Sequence, residues 1–188
     1  MHVVLIRHPQ TIASLEKRFP KKDETYSHEG RRQFEQLLKN PVCGELITSD
    51  LLRCKILAQA MAEAHDVPLR VDSRIREIDM GVFEGHTFSE LEEAFSQDVQ
   101  DWMREPESFT FPQGESYFEF HRRVREFAQE LEEGQYTLIT HSGVIHSLMN
   151  FWMQKEMVEP FPCGHRGLLF NDDGQWKFRD LTGGIIDG

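Results

Sequence analysis

The sequence is poor in cysteine and has no long apolar run. Its three cysteines, Cys43, Cys54 and Cys163, are odd in number and lack the spacing of metal ligands, which excludes a disulfide framework and favours buried or surface thiols. No apolar segment approaches the ~20 residues that cross a bilayer, and the N-terminus lacks the regions of a signal peptide. These absences predict a cytoplasmic protein.

Basic residues are also scarce. Lysine and arginine number 21 against 32 aspartates and glutamates, which gives a formal net charge of −11. A protein with this charge repels nucleic acid and anionic membranes, so we expect neither as a partner. An anionic small molecule would bind only where a few positive side chains lie together, which directs attention to arginine and histidine.

The composition is that of one folded domain. Hydrophobic residues make up 39% and charged residues 28% of the 188 residues, proportions that are typical of globular proteins rather than disordered ones. A chain of this length buries a sizeable core without disulfides or metal ions. We therefore expect a single domain over residues 1–188.

Three short apolar runs rich in β-branched residues are typical of strands buried on both faces of a parallel sheet. These runs are Val3–Ile6, Leu46–Thr48 and Tyr136–Thr140. After the second and the third run, apolar residues recur at the three- to four-residue spacing of a helix. Strands that alternate with helices predict an α/β domain with a mostly parallel sheet.

The remaining segments have weaker patterns. Apolar spacing predicts a helix over about 115–133. Residues 83–115 are irregular and contain several glycines and prolines, so we expect an insertion over the site with one short helix near Ser89–Phe95. Leu168–Phe170 and Trp176–Phe178 flank a run of turn-forming residues and predict a hairpin at the sheet edge.

Positively charged or titratable side chains follow each of the three predicted strands. Arg7 and His8 follow the first strand, and Arg53 comes shortly after the second. His141 directly follows the third. Because ligands bind beyond the carboxyl ends of the strands in open α/β sheets, these residues predict a compact cationic pocket.

The predicted ligand of this pocket is a phosphoryl group. Arg53 falls in the first turn of a helix that Ser49 or Asp50 would cap, and helical side chains lean back toward the N-terminus. Its guanidinium can therefore reach the strand ends. An arginine fork matches two phosphoryl oxygens, and backbone N–H groups at helix starts add neutral donors.

A metal site is the alternative use of the histidines. His141 and His146 are five residues apart, which on a helix places their side chains about 140° apart. No cysteine or carboxylate completes a ligand set beside them. We therefore expect no metal ion, and two histidines beside arginines at strand ends favour a shared chemical role over a structural one.

Four motifs resemble those of the histidine phosphatase superfamily, the phosphoglycerate mutase-like group, in the same order along the chain. Arg7-His8-Pro9 is similar to the family's Arg-His-Gly signature, and residues 49–53 are similar to its Ser-x-Leu-x-Arg segment. Residues 76–85 resemble its acidic loop, and His141 matches its second histidine. The resemblance covers nearly the whole chain and implies a three-layer α/β/α fold.

The resemblance also implies a role for each matching residue. His8 attacks phosphorus and Glu77 protonates the leaving oxygen, while the phosphoryl oxygens are held by Arg7, Arg53 and His141. A neutral imidazole is a good nucleophile near pH 7, and a carboxylic acid can give a proton and later retake it. The resemblance implies neither a metal ion nor an organic cofactor.

Two positions depart from the family pattern. Pro9 replaces glycine, which removes a backbone donor but leaves a carbonyl that can orient the His8 ring. Ser14 stands where many members carry an asparagine that touches phosphate, so its contact would be shorter or bridged by water. The further candidates for substrate contact are Gln10, Ser14 and Ser142.

The substrate is predicted as a small-molecule phosphate ester. Mutases of this superfamily tend to be longer, which favours hydrolysis over phosphoglycerate mutase activity. Gly114-Glu115-Ser116 resembles a stretch of bacterial α-ribazole phosphatases, which act in cobalamin biosynthesis. We therefore expect α-ribazole 5'-phosphate first among the possible substrates. The alternatives are a broad-specificity sugar phosphate or nucleotide phosphatase, a mutase, and a non-catalytic module that binds a phosphorylated metabolite. Four aromatic residues either stack on a substrate ring or pack within the insertion: Trp102, Phe109, Phe111 and Phe118.

Overall fold

A six-stranded sheet forms the centre of the structure, a computed structural model that describes residues 1–154 and 160–182. Its strands are β1 (His2–Arg7), β2 (Glu45–Thr48), β3 (Leu69–Val71), β4 (Gln135–Thr140), β5 (Arg166–Asp172) and β6 (Gln175–Asp180). They lie in the order β3-β2-β4-β1-β5-β6. The pairs among the first four strands are parallel, whereas β5 and β6 add an antiparallel edge. The mostly parallel sheet predicted from the sequence is confirmed.

Along the chain, α-helices occur between the successive strands from β1 to β5, and they cover the sheet. They are α1 (Ile12–Glu16), α2 (His28–Leu37), α3 (Leu52–His65), α4 (Phe88–Ala94), α5 (Ser96–Arg104), α6 (Tyr117–Glu130) and α7 (Ser142–Met153). Within the described residues, none of these helices has both the length and the apolar character needed to cross a membrane.

Alternate residues of the central strands enter two separate cores, one on each face of the sheet. Val3 and Leu5 of β1 belong to the core that includes residues of α6 and α7. Val4 and Ile6 belong to the core that includes residues of α2 and α3. Because successive side chains of a strand point to opposite faces, this division places helices on both sides of the sheet. The three-layer α/β/α fold is confirmed.

Local capping and turn geometry set the ends of α6 and the C-terminal hairpin. The Ser116 hydroxyl accepts from the Glu119 N–H (3.2 Å) and the Glu119 carboxylate accepts from the Ser116 N–H (3.0 Å), which is a capping box at the start of α6. Asp173 (φ 50°) and Gly174 (φ 84°) join β5 to β6. Two successive positive φ angles are those of a type I′ hairpin turn, and the predicted edge hairpin is confirmed.

Two expectations about helices are wrong in detail. Residues 83–115 contain two α-helices rather than one: α4 matches the predicted helix, and the backbone at Phe95 (φ −133°, ψ 42°) separates it from α5. Neither Ser49 nor Asp50 is the N-cap residue of α3. That position is Leu51, which has no side-chain cap, and the Ser49 hydroxyl instead accepts from the Leu51 N–H (3.2 Å).

Aromatic residues of the insertion pack mainly on one another. Phe111 is 1% exposed and meets Phe83 and Phe109 edge to face, with ring centroids 5.4 and 5.2 Å apart. Trp102 contacts Phe83 at 5.9 Å. Phe118, by contrast, is 70% exposed. Packing, the second of the two alternatives, therefore accounts for Phe111, whereas Phe118 does not pack in this cluster.

The contrast between Phe111 and Phe118 generates a prediction about stability. Phe111→Ala should lower the free energy of unfolding by about 3–5 kcal/mol, because it removes a fully buried ring and leaves a cavity. Phe118→Ala is the matched control, and exposed substitutions of this kind change stability by about 0.5 kcal/mol or less. Urea denaturation followed by circular dichroism measures both. Equal losses for the two variants would show that the insertion is packed differently.

Candidate active site

The two histidines are brought together by the pairing of β1 with β4. Arg7 at the end of β1 lies opposite Thr140 at the end of β4, and the His8 N–H donates to the Thr140 carbonyl (3.0 Å). The next residue after β4 is His141. The ring centroids of His8 and His141 are consequently 5.2 Å apart, and both side chains are buried.

Two arginines carry their charge into this buried region. Arg53, in the first turn of α3, is 2% exposed and donates through Nη1 to the Lys21 carbonyl (2.9 Å). Arg7 donates through Nη1 to the Phe161 carbonyl. The Nε–H groups of both arginines are buried and have no hydrogen-bond partner in the part of the chain that the structure describes. Both guanidinium groups thus retain donors suited to an anion.

His8 is held as a neutral imidazole with a defined tautomer. Its Nδ1 lies 2.8 Å from the Pro9 carbonyl oxygen. Because a carbonyl oxygen can only accept, Nδ1 carries the proton and Nε2 keeps its lone pair. Burial, followed by repulsion from Arg53 and Arg7, holds the pKa of His8 well below its usual value. His8 is therefore uncharged at neutral pH and nucleophilic at Nε2.

His141 is fixed by two side chains at the start of α3. Its Nε2 lies 2.9 Å from the Ser49 hydroxyl and 3.4 Å from the Cys54 sulfur. Burial and the charge of Arg53 hold the pKa of His141 well below its usual value. Burial also raises the pKa of the Cys54 thiol to about 12, so the thiol stays protonated and is not a nucleophile. The contact of Cys54 with His141 joins residues 87 positions apart, so no local sequence pattern indicates it.

The side chain of Glu77 contacts the start of α7. Its Oε2 accepts from the Gly143 N–H (3.3 Å), and its Oε1 accepts from the Ile78 N–H (3.3 Å). A Cβ atom at position 143 would collide with Oε1, so a glycine there permits the close approach. The carboxyl of Glu77 thereby contacts Gly143, the second residue after His141.

A sequence profile described as the histidine phosphatase superfamily (branch 1) matches residues 3–169. The chain belongs to the histidine phosphatase superfamily. Phosphoserine phosphatase 1 of Hydrogenobacter thermophilus is 28% identical over 135 residues, which are 70% of this chain and 64% of that protein. A protein of Escherichia coli O1:K1 / APEC, described as a probable phosphoglycerate mutase GpmB, is 30% identical over 155 residues, which are 77% of this chain and 70% of that protein.

Solved structures of phosphatases have the same fold. The α-ribazole phosphatase of Shigella flexneri superposes with a TM-score of 0.89 over 100% of both chains, at 18% identity. At that identity the likeness establishes the fold and leaves the substrate open. The chain spans less than two thirds of some curated relatives, 64% of phosphoserine phosphatase 1 and 41% of a second H. thermophilus protein.

The other predicted contact residues of this member of the superfamily are already bonded within the protein. The side-chain oxygen of Gln10 accepts from the Ser27 hydroxyl (2.7 Å). The Ser14 hydroxyl is paired with that of Thr11 (2.9 Å). The Ser142 hydroxyl accepts from the Phe161 N–H (3.0 Å). Contact of Gln10, Ser14 or Ser142 with phosphate stays a prediction.

The lowered pKa values of His8 and His141 predict how stability depends on pH. Unfolded histidine titrates near 6.5, so the unfolded chain binds more protons than the folded one once the pH falls below that value. The stability present above about pH 6.5 should be lost as the pH falls toward the folded-state pKa values, by at most about 1.4 kcal/mol per histidine per pH unit.

Urea denaturation at pH 7.5, 6.5 and 5.5 tests this prediction. His8→Asn and His141→Asn should each flatten the fall in stability below pH 6.5 relative to the unsubstituted protein. The exposed His28 provides the control substitution, His28→Asn, which should leave the fall unchanged. Identical slopes for all four proteins would contradict the assignment of neutral, buried imidazoles.

Proposed function

We propose that this protein is a phosphomonoesterase that works through a phosphohistidine intermediate on His8. The observation that supports this most directly is the neutral Nε2 of His8, buried beside Arg7, Arg53 and His141. Nε2 forms a bond to phosphorus while the bond from phosphorus to the leaving oxygen breaks. Water then attacks the phosphorus, the P–N bond breaks, and inorganic phosphate and free His8 result.

The arginines supply the charge that the phosphoryl group requires. Neither Arg7 nor Arg53 forms an ion pair with a carboxylate among residues 1–154 and 160–182. A buried guanidinium without a carboxylate is costly unless a ligand compensates it. A dianionic phosphoryl group fits this environment, and charge that develops on its oxygens during transfer is stabilised by the fixed donors.

Glu77 is the proposed acid and base. Its carboxyl lies at the start of α7, and it lines a pocket that it shares with Arg53. We name this the leaving-group pocket; its walls also include Lys21, Ile78 and Glu84. A proton from Glu77 to the leaving oxygen would make an alcohol depart as a neutral molecule, and the carboxylate would then take a proton from the attacking water.

α-Ribazole 5'-phosphate is the first substrate to test. The resemblance of residues 114–116 to α-ribazole phosphatases supports this choice, and so does the common fold with the Shigella flexneri enzyme. The buried position of Phe111 gives no support to ring stacking on that side chain. We expect residues 83–115 to lie over the site and to set the choice of ester, since binding residues concentrate on such loops.

Phosphoserine is a second candidate substrate, and a separate observation supports it. The leaving-group pocket has both positive side chains, Lys21 and Lys22, and negative ones, Asp79 and Glu84. Lys22 is paired with Asp79 (2.9 Å), and the further charges of Lys21 and Glu84 in the same pocket suit a leaving group that carries both an ammonium and a carboxylate. Phosphate release from a panel of α-ribazole 5'-phosphate, phosphoserine, sugar phosphates and nucleotides ranks these candidates. Transfer of the phosphoryl group to a second hydroxyl instead of water would identify a mutase.

The phosphohistidine intermediate is directly testable. A denaturing quench at alkaline pH, where the P–N bond is stable, should trap phosphate on His8 during turnover of labelled p-nitrophenyl phosphate, and His8→Ala should abolish the label because the attacking nitrogen is lost. Peptide mapping identifies the labelled residue. The control His28→Ala should retain the label. Full turnover by His8→Ala, or label on a serine or an aspartate, would show that the proposed mechanism is wrong.

The role of Glu77 is tested by comparing leaving groups. Loss of a general acid costs about 10²- to 10⁴-fold when the leaving group is an alkoxide, whereas nitrophenolate departs unaided. Glu77→Gln should therefore collapse the burst of enzyme phosphorylation by a ribose 5'-phosphate ester and spare the burst with p-nitrophenyl phosphate. Glu35→Gln, at an exposed position that does not line this pocket, serves as the control and should spare both bursts. Equal slowing of both bursts by Glu77→Gln would assign the proton to another group.

A further inference from the structure

The backbone that leads to Glu77 is fixed through its carbonyl groups. The carbonyl oxygens of Arg74 and Arg76 accept from Arg123 Nη1, each at 2.7 Å, and the Glu77 carbonyl accepts from Arg123 Nη2 at 3.1 Å. The carbonyl of Ile75, which lies between those of Arg74 and Arg76 along the chain, accepts from the Thr140 hydroxyl at 2.6 Å. All four successive carbonyls are therefore bonded to side chains of other elements, and Arg123 alone serves three of them.

Arg123 is held in this position by Glu115. Arg123 Nε donates to Glu115 Oε2 (3.1 Å), and Nη2 donates to Oε1. Both side chains are only 17% exposed. The guanidinium also lies over the Phe120 ring, 4.9 Å from its centroid, a favourable arrangement for a cation. A bidentate pair of this kind fixes the plane of the guanidinium, so the fork is oriented before it meets the carbonyls.

Glu115 holds the chain on the other side of Glu77 as well. Its Oε1 accepts from the Asp79 N–H (2.9 Å), and its own N–H donates to the Asp79 carbonyl (2.9 Å). Arg123 thus fixes the backbone up to residue 77, and Glu115 fixes it at residue 79. Between these anchors the Glu77 carboxyl reaches the Gly143 N–H.

We propose that Glu115 and Arg123 are positioning residues for Glu77, an inference that rests on the proposed role of Glu77 as the acid. They touch neither the phosphoryl pocket nor the reacting atoms; they act by holding the main chain of residues 74–79. Both oxygens of Glu115 are occupied by Arg123 and by the Asp79 N–H. Within the Gly114-Glu115-Ser116 stretch, Glu115 therefore braces the segment of residues 74–79.

Two substitutions disturb this brace with little change in volume. Arg123→Lys keeps the charge but loses the fork that serves Glu115 and three carbonyls together. Glu115→Gln replaces one acceptor oxygen with a donor N–H, which would face an arginine donor or the Asp79 N–H. The matched control is Glu130→Gln on the same helix, whose carboxylate pairs with the Arg74 guanidinium (2.7 Å) and not with the loop backbone.

The first measurement is amide hydrogen exchange of residues 74–79, which does not depend on activity. Arg123→Lys and Glu115→Gln should accelerate exchange there by about tenfold or more, because local opening becomes easier. Exchange in β1 and β4 should be unchanged, which separates a local effect from general loss of stability. Unchanged exchange of residues 74–79 would overturn the proposal, whatever the catalytic result.

The second measurement is the pair of phosphorylation bursts used for Glu77. A displaced acid should slow the alkyl-ester burst by about 10²-fold, the cost of a small misplacement. The p-nitrophenyl phosphate burst should change by less than about threefold, because nitrophenolate needs no proton. Glu130→Gln should leave both bursts intact. Equal slowing of the two bursts by Arg123→Lys would overturn the positioning role.

The two proposals fail in distinguishable ways. Absence of any phosphoenzyme in the unsubstituted protein would reject the proposed function, and hydrogen exchange would still decide whether the pair holds the segment. If the unsubstituted protein forms the phosphoenzyme and Glu77→Gln slows the two bursts unequally, the proposed function stands. Equal slowing of the two bursts by Arg123→Lys would then reject the inference alone. Rescue of the burst ratio in the double substitution Glu115→Arg, Arg123→Glu, which restores the ion pair but not the carbonyl contacts, would also reject it.

Discussion

The parallel pairing of β1 with β4 is the constraint on which the rest of the site depends. Arg7, the last residue of β1, lies opposite Thr140, the last residue of β4. His8 and His141 come directly after these two residues, so the pairing brings them together. Strand side chains alternate between faces, so a slip of one residue would send the apolar residues of β1 to the wrong cores. The two cores on either side of the sheet therefore protect the register, and through it they fix the distance between the imidazoles.

The electrostatic character of the site is the reverse of that of the whole molecule. A chain with a formal net charge of −11 places two arginines, neither paired with a carboxylate of the described residues, beside two buried histidines. Burial and the arginine charges together keep the imidazoles neutral. The arrangement costs folding free energy, and the two apolar cores supply the stability that offsets it. The two arginines and two histidines that the proposed function requires therefore lower the stability of the fold.

Much of the fold could be predicted from the sequence because its strands are continuous apolar runs and its helices are amphipathic. β3 could not be predicted: it is a three-residue edge strand whose side chains are partly or fully exposed, so it has no apolar run. α1 and α2 were also missed. For the site, strand ends indicated His8, Arg53 and His141. The contacts of Arg123 with backbone carbonyls 46 to 49 residues away leave no local pattern, and the family motif alone indicated Glu77.

The start of α7 carries one residue of the proposed site and contacts another. His141 is its N-cap residue, and the N–H of Gly143 donates to Glu77. A displacement of this helix would move His141 and the contact of Glu77 as one unit, so neither could be changed without disturbing the other. On the proposed function, a change of substrate would then arise elsewhere, in the walls of the leaving-group pocket, while the residues around the phosphoryl group stay the same.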